Sequence, residues 1–276
     1  MNIKENAWIK SHVINGNAVL PMAVAAELMC QGAVAVNPGM EFTGYDEMRI
    51  LKGIVLDKES VILNIYASPA EPVGDGTYKS IAEIKSDGSK MQNLNAKAEI
   101  ILAPKSLVRK SPEPQKVNFG KEYGRSMEQA YEECLFHGEF LQALTDVTGW
   151  SEEGIAAISN TSKPVEEWFA KPLFSNWQSD PLMIDAAYQL MILWTKEVFN
   201  APSLPNYAKS YRQYVKSFNE KPVIITAKAS KKGSSSATAN IDFTNAYGKV
   251  LARIEGYECT INSALEKAFK NRKPGV

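Results

Sequence analysis

Two segments of this chain are apolar along nearly their whole length, and the rest of the molecule has to be arranged so as to cover them. The first, "PMAVAAELMC" from Pro21, lies inside the apolar stretch 18–36; the second is "DPLMIDAAYQLMILWTKEVF", residues 180–199. A helix that is hydrophobic on all sides is buried on all sides. A bilayer is one way to bury it, but spanning takes ~20 consecutive apolar residues. Pro21, Glu27 and Gln31 interrupt the first segment, which argues for a helix buried in protein.

Each apolar segment is followed by pieces with strand character. After the first come "MRILKGIVL" (48–56), "SVILNIYAS" (60–68), "TYKSIAEIKS" (77–86) and "LNAKAEIILA" (94–103). The third alternates apolar and polar side chains, and "SDGSK" after it supplies a turn. After the second come "YRQYVKSF", "PVIITAKAS", "ATANIDFTN" and "KVLARIEGYECTI". Between the two sets, "PKSLVRKSPEPQKVNFGK" (104–121) has three prolines and no periodicity, and reads as a linker.

Helix, strands, linker, helix, strands is a duplication of architecture, visible in the order of elements and not in residue identity. An antiparallel sheet curved around each helix buries it. Two such units side by side make a double hot dog, an α+β fold. The expected boundaries are 1–105 for the first half, 106–125 for the linker, 126–265 for the second half and 266–276 for a basic tail.

Composition narrows the partners. Lys plus Arg equals Asp plus Glu at 31 each, so no overall field draws in nucleic acid or an anionic membrane. Cys30, Cys134 and Cys259 are odd in number and lack CxxC spacing, which fits buried thiols in a reduced compartment. The opening "MNIKENAWIK" has no apolar core of the length a secretion signal needs, so the expected location is cytoplasmic.

Reactive side chains gather at the start of each helix. His12, Gly16 and Pro21 precede the first, with Pro21 suited to a first-turn position and Gly16 to a tight loop. A backbone N–H near that loop could polarise a carbonyl oxygen beside His12. In the second helix Asp185 and Gln189 are four residues apart and share a face. Flanked by "LMI" and "AAY", Asp185 should be poorly solvated, which raises a carboxyl pKa and leaves a proton to give near neutrality. A lone His or Asp in such a place is more often structural; a pair at matching positions of two halves is stronger evidence.

These residues carry a resemblance. His12, Gly16 and Pro21 fit the HxxxGxxxxP motif, and Asp185 and Gln189 the DxxxQ/H motif, of the dehydratase domains of polyketide synthases and polyunsaturated fatty acid synthases. "MRILKGIVLD" resembles the strand after the first helix in such domains, and "ECLFHGEFLQAL" is similar to their LFHGPxFQ element, with Glu139 where the family has Pro. The pattern places His137 and Gly138 near the substrate, and Leu204–Pro205 at a loop beside it.

The resemblance implies loss of water from a 3-hydroxyacyl thioester on an acyl carrier protein, through its phosphopantetheine-linked chain, to give a trans-2-enoyl thioester. It implies His12 as base, Asp185 as acid and Gln189 as its orienting partner. It implies no metal or organic cofactor, neighbouring synthase domains as partners, and a homodimer through the first hot dog. A product-template-like cyclase, a double-bond isomerase and a silent carrier-binding scaffold are the competing readings.

Overall fold

The computed structural model describes residues 1, 5–56, 60–87, 92–105, 109–218 and 221–272. Parts of the expected turn (88–90), linker (106–108) and tail (273–276) lie outside the described residues, as does Asp57. In chain order the helices are α1 (Met22–Val36), α2 (Met127–Glu133), α3 (Val165–Trp168), α4 (Pro181–Phe199) and α5 (Leu265–Lys270). The strands are β1 (Val13–Ile14), β2 (Asn17–Ala18), β3 (Met40–Ile50), β4 (Leu63–Ala67), β5 (Glu71–Gly74), β6 (Thr77–Ser86), β7 (Asn93–Pro104), β8 (Leu144–Ser151), β9 (Gly154–Ser159), β10 (Ser203–Gln213), β11 (Val223–Lys231), β12 (Ser236–Thr244) and β13 (Val250–Ile261).

The two apolar segments are α1 and α4, in contact with each other and with the sheet. Their caps follow from sequence. The Asp180 carboxylate accepts from Met183 N at 2.9 Å, and Pro181 opens α4 where its missing N–H costs nothing. Pro21 sits one step earlier than expected, as the residue before α1 (φ −60°, ψ 144°), and its carbonyl accepts from Ala25 N.

β1 and β2 pair with each other, and the other strands form one antiparallel sheet in the order β4-β6-β7-β3-β10-β13-β12-β11-β9-β8, with β5 on β6. This is the double hot dog, an α+β fold: β3–β7 wrap α1, β8–β13 wrap α4, and the halves join where β3 pairs with β10. Across that seam Met48 faces Ala208 and Tyr45 faces Tyr211, all four with no exposed surface. Gly44 belongs there for a steric reason, since a Cβ would lie 2.1 Å from Tyr211 O.

Several elements differ from the expectation. β3 begins at Met40 and ends at Ile50, so residues 51–56 are no strand; they run beside the α1 entry, with Leu20 N donating to Ile54 O and Leu56 N to Ala18 O. β10 spans Ser203–Gln213, which makes Leu204 and Pro205 strand residues beside a bulge between Pro205 and Tyr207. Pro is tolerated at such a position because a bulge frees it from the ladder. The β8–β9 hairpin precedes α4, so the second half is not simply helix then strands; register shifts at Leu144/Asp146 and Val147/Gly149 break the alternation that would mark β8.

Glu27, one of the residues that interrupt the first segment, is wholly buried and ties α1 to the loop before α4. Its carboxylate accepts from Ser179 N (2.8 Å), Ser179 Oγ (2.6 Å), Gln178 N (2.8 Å) and Gln31 Nε2 (2.7 Å). From residue 109 onward the linker crosses β12 and β13, with Ser111 Oγ donating to Val250 O and Gln115 N to Asp242 Oδ2. The basic stretch after residue 265 is partly α5, whose Phe269 is buried against Phe136 with ring centroids 4.4 Å apart.

Candidate active site

His12 is set by backbone on both sides. It follows a 3₁₀ turn (Ala7–Ser11) and bridges to His137 in antiparallel fashion, while Ser11 O accepts from Gly138 N at 2.8 Å. A Cβ on Gly138 would lie 2.9 Å from Ser11 Cα, so glycine is what lets the two loops meet. The His12 ring is then locked by its Nδ1, which lies 2.7 Å from Val19 O. A carbonyl can only accept, so Nδ1 carries the proton and Nε2 keeps its lone pair. Burial pushes the His12 pKa down to about 4, against the opposing pull of the Val19 carbonyl, so the ring is neutral near pH 7.

Asp185 sits one turn into α4, 4% exposed. Gln189 Nε2 donates to Asp185 Oδ2 at 2.8 Å and also to Leu141 O at 2.8 Å. The Tyr131 hydroxyl donates to Gln189 Oε1 and accepts from Leu144 N, each at 2.8 Å. Desolvation pushes the Asp185 carboxyl up to about 7, offset in part by the Gln189 bond. Among the described residues no cation counters this, because His137, whose Nε2 lies 3.4 Å from Asp185 Oδ2, is itself held well below the usual imidazole range by burial, then by His12 and Arg272.

His12, His137 and Asp185 converge on one cavity of about 250 Å³, walled by Leu20, Met22, Phe136, Tyr188, Ile192 and Leu204 among others. Its lining comes from both halves. A neutral base and a protonated acid opposite one another in an apolar chamber can take one proton from a bound molecule and give another.

The structure places Gly16, Pro21, Gly138 and Gln189 outside that lining. Gly16 N donates to Asn271 O at 2.9 Å, so the donor expected near Gly16 is already engaged; the Gly's job is the turn, where Asn15 (φ 52°) and Gly16 (φ 78°) are left-handed. Pro21 and Gln189 act behind the wall, and Gly138 through its contact with Ser11. Pro205 and Leu204 do reach the cavity. Glu139, which departs from the pattern, is exposed and opens a 3₁₀ turn (Glu139–Leu141) away from it. Sequence reasoning missed Tyr131 and the Val19 carbonyl. A buried Tyr seven residues before the bend at Gly138 gives no periodic signal, and a carbonyl has no side-chain signature.

Residues 109–268, more than half of the chain and including Asp185 and Gln189, match the family described as the polyketide synthase dehydratase N-terminal domain. The chain belongs to this dehydratase family. Over 256 residues, 92% of its length, the chain is 22% identical to one of the subunits of the polyunsaturated fatty acid synthase of Thraustochytrium sp., and it spans only 9% of that protein. It is also similar in structure to the dehydratase domain from the CurF module of curacin polyketide synthase, with TM-score 0.71, 17% identity, and coverage of 95% of this chain and 91% of that one. The dehydratase domain of PpsC from Mycobacterium tuberculosis, solved with C12:1-CoA, gives TM-score 0.67 at 15% identity, covering 92% and 89%. Members of the family dehydrate hydroxyacyl thioesters, and the His and Asp pair of this chain fits that reaction.

Proposed function

We propose that the substrate is a 3-hydroxyacyl thioester carried by an acyl carrier protein, and that His12 and Asp185 are the base and acid of its dehydration. The observation that carries the reading is that His12 Nε2 and Asp185 Oδ1 have no protein partner among the described residues, while His12 Nδ1 and Asp185 Oδ2 are both held. Each side chain thus presents one free atom at the cavity.

The chemistry needs such a pair. A proton alpha to a thioester is weakly acidic, and hydroxide leaves only when protonated. His12 Nε2 takes the C2 proton, and Asp185 Oδ1 gives a proton to the C3 hydroxyl. The Gln189 bond to Oδ2 keeps Oδ1 turned to the substrate. The thioester oxygen gains negative charge as the C2 proton leaves, and the first N–H groups of α1, from Met22 at the cavity wall, take over the polarising role expected near Gly16. Apolar walls hold the acyl chain, at about 0.8 kcal/mol per buried CH₂.

Turnover of 3-hydroxyacyl thioesters, on carrier protein and on a pantetheine mimic, read by intact mass and enoyl absorbance, tests the proposal. The expected result is loss of water by the parent, with His12→Ala and Asp185→Asn slowed by at least ~100-fold. A parent that neither dehydrates the hydroxyacyl thioester nor hydrates the enoyl product would overturn it.

A further inference from the structure

We propose that the same cavity is a binding site for a divalent transition-metal ion of the zinc type, held by His12 Nε2, His137 Nε2 and a carboxylate oxygen of Asp185. The candidate donor atoms of these three buried residues all lie within 4.8 Å of one another. Two imidazoles and one carboxylate are a donor set that first-row ions accept, with a fourth position left open.

Three details favour a cation over a merely crowded pocket. His12 Nδ1 donates to the Val19 carbonyl, the outer-sphere bond that fixes a metal-binding imidazole with its Nε2 lone pair outward. His137 is 2% exposed, its Nδ1 has no hydrogen-bond partner, and its Nε2 is the ring nitrogen turned toward Asp185 Oδ2, at 3.4 Å. Bonds of 2.0–2.2 Å in a tetrahedron put neighbouring donor atoms about 3.4 Å apart, the separation of His137 Nε2 from Asp185 Oδ2.

The remaining separations are no more than 4.8 Å and would shorten when an ion is bound. Binding would release the proton from Asp185, with the carboxylate entering the coordination sphere and no change of oxidation state. An ion there occupies the lone pair of the base and the carboxylate of the acid. On the dehydratase reading, metal-bound and substrate-bound forms are therefore mutually exclusive.

The test is a Co²⁺ titration of the full chain, read by visible absorption and needing no turnover, followed by displacement with Zn²⁺ and removal with a chelator. The expected result is one ion per chain with the intense spectrum of four-coordinate cobalt, and affinity weakened more than ~10-fold in each of His12→Ala, His137→Ala and Asp185→Asn. Metal-free melting curves establish that each variant is folded, with His137→Gln in reserve for a His137→Ala that is not. No cobalt spectrum in the parent, a thiolate-to-cobalt band reporting a cysteine site, or undiminished binding in the folded variants would each overturn the proposal. An inactive protein that binds cobalt this way would leave the metal site standing, whereas an active one that binds none would remove the metal site alone.

Discussion

The Tyr131 hydroxyl donates to Gln189 Oε1 at 2.8 Å, and that bond decides which end of the Gln189 amide meets Asp185. Leu144 N already donates to the same hydroxyl, so Tyr131 has only its proton to offer and Gln189 must present oxygen to it. Its NH₂ is thereby turned to Asp185 Oδ2 and Leu141 O. Tyr131→Phe leaves two buried groups unpaired, which costs about 1–3 kcal/mol of stability. We expect kcat to fall with KM little changed, because the acid is misaimed while the acyl walls are intact. Steady-state kinetics beside a melting curve checks this; equal kinetics in the two proteins would remove Tyr131 from the orienting chain.

The pH profile of turnover follows from the two shifted groups. The His12 pKa near 4 keeps the base neutral above that pH, and the Asp185 pKa near 7 keeps the acid protonated below it. The rate should be highest between about pH 4 and about pH 7, falling on both sides. A profile still rising through pH 8 would mean that Asp185 is not the proton donor.

Asp185 should also cost stability at high pH. Its folded-state pKa, raised from 3.8 to about 7, means that the folded form binds a proton the unfolded chain has lost across that interval. Its contribution is fully present below pH 3.8 and is lost as pH rises through about 7, a difference on the order of 4 kcal/mol. Asp185→Asn should therefore be more stable than the parent at pH 8 and close to it at pH 4. Denaturant midpoints at the two pH values test the sign.

Glu27→Ala strands Ser179 N and Gln178 N in the interior and loosens the α1 contact with the loop before α4. The expected loss is about 3 kcal/mol, seen in chemical denaturation. Glu27→Gln, which keeps an acceptor oxygen, should lose less.

Glu139→Pro restores the residue that the resemblance leads one to expect. Glu139 is exposed, its N–H makes no hydrogen bond among the described residues, and Gly138 before it is extended (φ −75°, ψ 173°), as a residue preceding Pro should be. Stability should stay within about 0.5 kcal/mol of the parent. A large change in turnover would show that this turn shapes the cavity after all.

What the sequence disclosed was set by local pattern. Apolarity on all sides revealed α1 and α4, period-two alternation revealed β6 over its full Thr77–Ser86 span, and i to i+4 spacing put Asp185 beside Gln189. What it hid depends on contacts between distant residues. The start of β3 at Met40 is disguised because its buried residues Phe42 and Tyr45 are out of phase across a shift at Phe42/Gly44. The engagement of Gly16 by Asn271 involves residues at opposite ends of the described chain, and no spacing rule reaches that far.

The bridge from Ser11–His12 to His137–Gly138 has a further consequence for how this molecule fails. His12 belongs to the first hot dog and Asp185 to the second, with His137 between them on the second. Any slippage of one half against the other separates the proposed base from the proposed acid before either helix loses its own sheet. A preparation with a loosened seam would look native by circular dichroism and be inert toward thioesters, so turnover would report damage that a spectrum of secondary structure misses.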